Sequence, residues 1–393
     1  MAGVRGVVEG FYGRPYTPAQ RRIILQSLRR LRRPLYVYAP KSDPWHRRLW
    51  RRPYPDGRWA ELEDLFASGG DAGVEVHFGL SPAGAVLRDA GEVRRKLSRA
   101  VDAGAAGVCL LFDDQLDSAG AAVAQRHADL AAAAAGGLGV PVSVCPAVYC
   151  TELERRMEGE GYIRLISRLL PEDWNVMWTG REVVSPHLDA PDLDVPGLRR
   201  PPLVWDNLLA DDYCLRRIYL APLEGRIPEG CGYLLNPSSV FLCALHAVRE
   251  LLLASGVGCP WPEQLGAERD GWRLLAAFHH TPWSASKEGD GMVAELVAAL
   301  AKGGPVPAWL ASAADSLKRL IDELPGMEGG FDLMPYVVDL GRLLAVASQA
   351  MESGAGAKAE LHRLLLRRLP CEHPLASALL RSAEDEHSRG DGA

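Results

Sequence analysis

GVCLLFDD, Gly107 to Asp114, is the stretch that decides how this chain is read. It is too short for a helix and carries apolar residues on both alternating faces, as a strand covered on both sides in a parallel sheet does. The run stops abruptly at two adjacent carboxylates, Asp113 and Asp114. In a parallel barrel the carboxyl ends of the strands face the pocket, so this placement marks both acids as candidate catalytic residues.

Seven further runs have the same character: GVVEG (6–10), PLYVYAP (34–40), VEVHFGLS (74–81), PVSVCP (141–146), NVMWTG (175–180), PPLVWDN (201–207) and GYLLNP (232–237). The segments between them show helical spacing. Thr17 is placed to cap a helix that has Pro18 at its first position and Ile24, Leu28 and Leu31 on one face. Val93, Leu97 and Val101 repeat the pattern before the fourth strand. Eight strands alternating with helices over about the first 255 residues predict an α/β fold, a (β/α)8 barrel. The sixth crossover, SPHLDAPDLDVPGLRR, contains three prolines, which predicts a short or irregular helix there.

At 393 residues the chain exceeds one barrel. From Cys259 the strand pattern ends, and WRLLAAFHH, MVAELVAALAK, WLASAADSLKRLIDELP and YVVDLGRLLAVASQAM read as amphipathic helices of an appended α-helical bundle. The expected organisation is a catalytic barrel over 1–258, a helical domain over 259–382 and a disordered tail over 383–393.

A net charge of -6 argues against a dedicated nucleic-acid binder, and RRLRR (29–33) reads as a solvated helix face. No segment approaches the length of a membrane span, and no charged-then-apolar leader precedes the first strand, so the expected location is cytoplasmic. The eight cysteines lack paired CxxC spacing and read as free thiols in a reducing compartment rather than as a structural zinc site. The excess of arginine over lysine hints at a GC-rich bacterial source, by association only.

The strand ends narrow the chemistry. They carry Glu9 and Gly10, Lys41, the acid pair, Tyr149, Trp178 and Thr179, Trp205 with Asp206 and Asn207, and Asn236. Aromatic walls cover the apolar face of a pyranose while Asn, Asp and Lys reach its hydroxyls, so the set resembles a sugar pocket. Two Asp and an Asn could also hold magnesium, yet no His stands at a strand end in metal-ligand spacing, and no metal or other cofactor is expected. Lys41 stands out because only six of the 44 basic residues are lysine, which suggests a need for a compact charge there. His246, His279 and His280 fall in helical segments beyond the strands and read as packing or surface residues.

The strings GVVEGFYGRPYT (6–17), YVYAPKSDPWHRRLWR (36–51), LLFDD (110–114), CPAVYC (145–150), MWTGREVVS (177–185), VWDNLLADDY (204–213) and LLNP (234–237) resemble family 84 glycoside hydrolases, the O-GlcNAcases and related bacterial β-N-acetylglucosaminidases and hyaluronidases. Ser42 stands where that family often has Asp, and Ala147-Val148 replaces a more usual Thr-Glu.

The resemblance implies a retaining β-N-acetylglucosaminidase. Most retaining glycosidases place a carboxylate nucleophile about 5 Å from the acid, across the anomeric carbon, and neighbours in one strand cannot flank a sugar that way. The family is similar to the substrate-assisted exceptions, in which the 2-acetamido oxygen attacks its own anomeric carbon and forms an oxazoline. Asp113 would orient the acetamide N–H, and Asp114 would protonate the departing oxygen and then activate water. Gly10, Lys41, Asp212 and Asn236 would bind sugar hydroxyls. Asn207 would lie beside the acetamide, Tyr149 would donate to the developing oxazoline oxygen, and Cys145, Thr179 and Trp205 would shape the pocket for the acetyl methyl. The implied partner is an N-acetylglucosamine-bearing glycoprotein or other glycoconjugate, with neither nucleic acid nor membrane. A non-catalytic N-acetylglucosamine-binding protein or scaffold on the same barrel is the alternative.

Overall fold

The computed structural model describes residues 3–353, apart from 116–118, 158–160, 215–216 and 303–304. Eight strands form a closed parallel barrel in chain order: β1 (Arg5–Glu9), β2 (Pro34–Tyr38), β3 (Glu75–Leu80), β4 (Gly107–Leu111), β5 (Val142–Cys145), β6 (Asn175–Trp178), β7 (Leu203–Asp206) and β8 (Gly232–Leu235). The pairing Arg5↔Tyr233 to Val7↔Leu235 closes the ring. All five residues of β4 are buried, as its two-faced apolar pattern requires.

The first crossovers are helical, with α1 (Pro18–Leu28), α2 (Asp56–Ala72), α3 (Ala90–Asp102) and α4 (Ala121–Ala135) following β1 to β4. Thr17 caps α1 reciprocally: its hydroxyl accepts from Gln20 N at 3.2 Å, and Gln20 Oε1 accepts from Thr17 N at 2.9 Å. Two helices, α5 (Thr151–Arg156) and α6 (Tyr162–Leu169), cross from β5 to β6, and α7 (Phe241–Ala254) follows β8.

Regular alternation breaks twice. Between β6 and β7 the sole helical element among the described residues is a 3-10 turn at Ala190–Leu193, in the proline-interrupted stretch. Between β7 and β8 no described residue is helical. A buried ion pair ties this side of the barrel instead. Arg226 reaches both oxygens of Asp206, at the end of β7, and donates to the carbonyls of Ser185 and Pro186 at 2.7 Å each. Tyr233 from β8 adds its hydroxyl to Asp206 at 2.6 Å. Glu9 is held likewise at the end of β1, by Arg21 at 2.8 Å and by the Tyr36 hydroxyl. Two strand-end acids are thereby committed to structure, because a buried charge must be paired and hydrogen-bonded.

The chain divides into two compact units. The first holds the barrel and runs to Asp212, with Pro222–Ser239 and Ala247–Pro260. The second comprises Tyr213–Ala221, Val240–His246 and the chain from Trp261, so it draws in two stretches that lie before residue 258. Its helices are α8 (Arg269–Phe278), α9 (Lys287–Lys302), α10 (Ala308–Glu323) and α11 (Gly330–Ser353), with α10 packed on α8 and α11. Within this unit His246 stacks on Trp272 at 5.9 Å, and Arg217 donates to the carbonyls of Thr281 and Pro282. The part of the expected helical domain beyond 353, Cys371 and the tail over 383–393 lie outside the described residues. Among the described residues, no helix is long and apolar enough to cross a membrane.

Candidate active site

Lys41, three residues beyond β2, and Asp113, two beyond β4, meet as an ion pair with side chains 2% and 6% exposed. Burial pulls the Lys41 ammonium toward neutrality, but the charges of Asp113 and Asp114 outweigh it and hold the pKa above its ordinary value. The ammonium also lies 5.6 Å from the centroid of the Trp205 ring, within cation–π range. Only one oxygen of Asp113 is used in this way. Oδ1 is buried with no hydrogen-bond partner among the described residues. A buried carboxylate oxygen left open at a strand end is an acceptor awaiting a donor.

Asp114 is exposed and differently held. Its φ of +53° makes it the single non-glycine among the described residues in the left-handed region, where Asp is tolerated better than most side chains. The turn separates the two acids, so the first is buried in the barrel top and the second stands at its mouth. Tyr149 donates its hydroxyl to Asp114 Oδ1 at 2.9 Å, and Tyr12 donates to Oδ2 at 3.1 Å. Burial, with the nearby negative charges of Asp114 and Asp113, pushes the Tyr149 phenol well up, so it stays a proton donor at any ordinary pH.

The opposite wall is a hydrogen-bonded relay. Asn207 Oδ1 accepts from Trp205 Nε1 at 2.8 Å and from Asn236 Nδ2 at 2.9 Å, while its amide donates to Val183 O at 2.8 Å. Asn236 Oδ1 accepts from Gly10 N at 3.2 Å. Gly10 is required by contact: a Cβ there would lie 2.2 Å from Trp205 Cζ2. Asp212 Oδ2 accepts from Tyr12 N at 2.8 Å, and burial, aided by Asp211 and Asp114, raises its pKa against that bond.

Cys145 is buried beside this charge cluster, and burial followed by the Asp113 charge holds it firmly as a thiol. The Thr179 hydroxyl donates to Glu182 O at 2.7 Å, and its N–H donates to Tyr149 O at 2.9 Å. These contacts tie Thr179 to the Tyr149 segment. All eleven residues expected at the site lie in the first unit at the carboxyl ends of the strands or just beyond them. Among the described residues, no group of three or more His, Cys, Asp or Glu side chains converges as a metal cage would.

Sequence reasoning missed two neighbours of Asp114. Arg47 donates to the Asp114 carbonyl and to the Tyr12 hydroxyl oxygen, with its guanidinium carbon 5.5 Å from the Tyr12 ring centroid. Neither residue ends a strand. The available signal was that Tyr12 and Arg47 both fall inside the strings that carry the family resemblance.

Fold and site together define a barrel protein with an acid pair and a cluster of polar and aromatic side chains at the carboxyl ends of its strands. Residues 5–246 match the β-N-acetylglucosaminidase family. The chain is 31% identical over 266 residues to the protein O-GlcNAcases of Mus musculus and Rattus norvegicus, across 63% of its own length. It spans only 29% of the length of those curated relatives. The chain belongs to the β-N-acetylglucosaminidase family, family 84 of the glycoside hydrolases.

Proposed function

We propose that this chain is a retaining β-N-acetylglucosaminidase that removes terminal β-linked N-acetylglucosamine from a glycoprotein or other glycoconjugate by substrate-assisted catalysis. The observation that carries the reading is the asymmetry of Asp113, with one oxygen bound to Lys41 and the other buried and unpartnered. An acetamide N–H is the donor this oxygen lacks. Accepting it would turn the acetamide oxygen toward the anomeric carbon and make it more nucleophilic.

In the first step the C1–O bond to the aglycone breaks as the acetamide oxygen bonds to C1, Asp114 gives its proton to the departing oxygen, and the resulting oxazolinium keeps its N–H proton hydrogen-bonded to Asp113, whose negative charge balances it. In the second, water attacks C1 while Asp114 takes its proton, and the C1–O bond to the acetamide breaks to restore the neutral acetamide, with net retention. The exposure of Asp114 suits both tasks, since its partner is first an aglycone and then water. For Tyr149 to serve the oxazoline oxygen, its hydroxyl must turn from Asp114 Oδ1 when substrate arrives. A nucleophile held within the substrate brings a large effective molarity.

The test is hydrolysis of an aryl β-N-acetylglucosaminide, followed by the same substrate with mono-, di- and trifluoroacetyl groups. The expected rate falls stepwise with fluorination, because each fluorine weakens the nucleophilic oxygen. A rate indifferent to fluorination points to an enzyme-borne nucleophile, and no hydrolysis points to a binding protein.

A further inference from the structure

Three anchors fix the backbone around Arg47. Asp43 accepts from Trp45 N at 2.9 Å and from the hydroxyls of Tyr38 and Tyr54 at 2.6 and 2.9 Å. His46 is wholly buried; its Nδ1–H donates to Gly79 O at 3.0 Å, and its carbonyl accepts from Ser81 N at 3.0 Å. Lys96, reaching across from α3, donates to the carbonyls of Trp45, Trp50 and Arg52 at 2.9, 2.6 and 2.8 Å. A segment without regular secondary structure is thus held by three buried polar side chains, each hydrogen-bonded to a neighbouring element or to the segment's own backbone. What it presents between those anchors is the half-buried Arg47.

We propose that Arg47 is a positioning residue for Asp114, an inference that rests on the glycosidase reaction above. One rigid guanidinium fork grips Asp114 at two removes. Its bond to the Asp114 carbonyl fixes the peptide that follows the left-handed φ of +53°, the one backbone angle that separates the paired acids. Its bond to the Tyr12 oxygen occupies a lone pair there, leaving the hydroxyl hydrogen for Asp114 Oδ2. Tyr149 holds the other oxygen, so the carboxylate direction is set before an aglycone arrives. Such preorganisation matters because a proton donor displaced by about 1 Å can lose a factor of about a hundred in rate.

The experiment has a kinetic and a structural arm, both on the full chain. Rates are measured for wild type, Arg47→Ala, Arg47→Lys and Tyr12→Phe on aryl β-N-acetylglucosaminides with good and poor leaving groups. For Arg47→Ala, kcat/KM, which reports the step that releases the aglycone, is expected to fall roughly ten- to a hundred-fold on a poor leaving group and less than about three-fold on dinitrophenolate, with KM on the poor leaving group within about two-fold. Free guanidinium at millimolar concentration restores part of the poor-leaving-group rate, and Arg47→Lys is intermediate because a point charge cannot reproduce the fork. A loss equal on all leaving groups, confined to KM, or absent overturns the proposal. The structural arm is a crystal structure of Arg47→Ala, in which the Asp114 φ or its bond to Tyr12 is expected to change. An unaltered Asp114 overturns the proposal whether or not the wild type is active, whereas an inert wild type with a displaced Asp114 in the variant overturns the reaction alone.

Discussion

The Lys41 ammonium, arriving from the end of β2, sits on Asp113 Oδ2 from the end of β4, and both side chains are almost wholly withdrawn from water. Desolvating two charges is costly, and the pair holds only because each compensates the other. The pairing leaves Asp113 one oxygen for substrate and keeps a cation beside it. Lys41 therefore has two tasks, and removing it should show both.

Lys41→Met leaves a buried carboxylate unpaired and should cost about 3–5 kcal/mol of stability. Asp113→Leu in the same chain removes the orphaned charge and should recover most of that loss while leaving the protein inactive. Urea unfolding of wild type, the single variant and the double variant measures this. A double variant no more stable than Lys41→Met would show that the pair is not the source of the cost.

Gly10→Ala should push Trp205 from its seat and with it the indole bond to Asn207, since the added methyl has 2.2 Å where contact needs well over 3 Å. The expected result is at least about a ten-fold loss of kcat/KM and about 1–3 kcal/mol of stability from overpacking. Gly57→Ala in α2, with nothing within 4 Å of the added Cβ, is the matched control and should be neutral or stabilising. Equal behaviour of the two variants removes close approach as the reason for glycine at position 10.

The barrel was legible because each strand is a short apolar run ending in Gly, Pro or a polar residue, and β4 declared its two covered faces outright. The short 3-10 turn between β6 and β7 followed from its prolines, but nothing local marked the path from β7 to β8, in which no described residue is helical. That path depends on Arg226 reaching Asp206 from 20 residues away, and a contact at that range has no periodic signature. The same limit applied at the site. Strand ends named Lys41, Asp113 and Asn236, yet could not separate them from Glu9 and Asp206, whose charges are consumed by Arg21 and Arg226. Arg47 and Tyr12 were missed because loop residues reach Asp114 through the fold and not through a pattern.

His46 should make the protein acid-sensitive. Burial, with Lys41's charge adding to it, lowers its pKa from 6.5 to about 3 in the folded chain. The unfolded chain therefore binds more protons between these values, and stability rises with pH across that window. The contribution is fully present above pH 6.5 and is lost as pH falls toward 3. Between pH 6.5 and 5 this one group should remove about 2 kcal/mol. His46→Asn keeps a donor for the Gly79 carbonyl but does not titrate, so the pH slope of its unfolding free energy should be shallower. An identical slope in both proteins would assign the acid sensitivity elsewhere.

The two aspartates should separate by leaving group, because the left-handed turn at Asp114 puts one carboxylate in the barrel top and the other at its mouth. Asp114→Ala deletes the proton donor, so kcat/KM for substrates with poor leaving groups should fall by a factor of about 10²–10⁴, while an activated aryl group departs largely unaided and loses rate only in the second step, where the base is missing. Asp113→Ala should slow good and poor leaving groups alike, since every substrate needs attack by its acetamide. Losing the carboxylate also strips Lys41 of its buried partner, so the variant's stability must be measured beside its rate. Added azide sharpens the distinction: as an anionic nucleophile that needs no base, it can attack C1 in place of water in Asp114→Ala and open the oxazoline to a β-glycosyl azide, but it cannot orient the acetamide in Asp113→Ala. Azide rescue of Asp113→Ala in place of Asp114→Ala, or an Asp114→Ala variant equally impaired on every leaving group, would reverse or refute the assignment of the two roles.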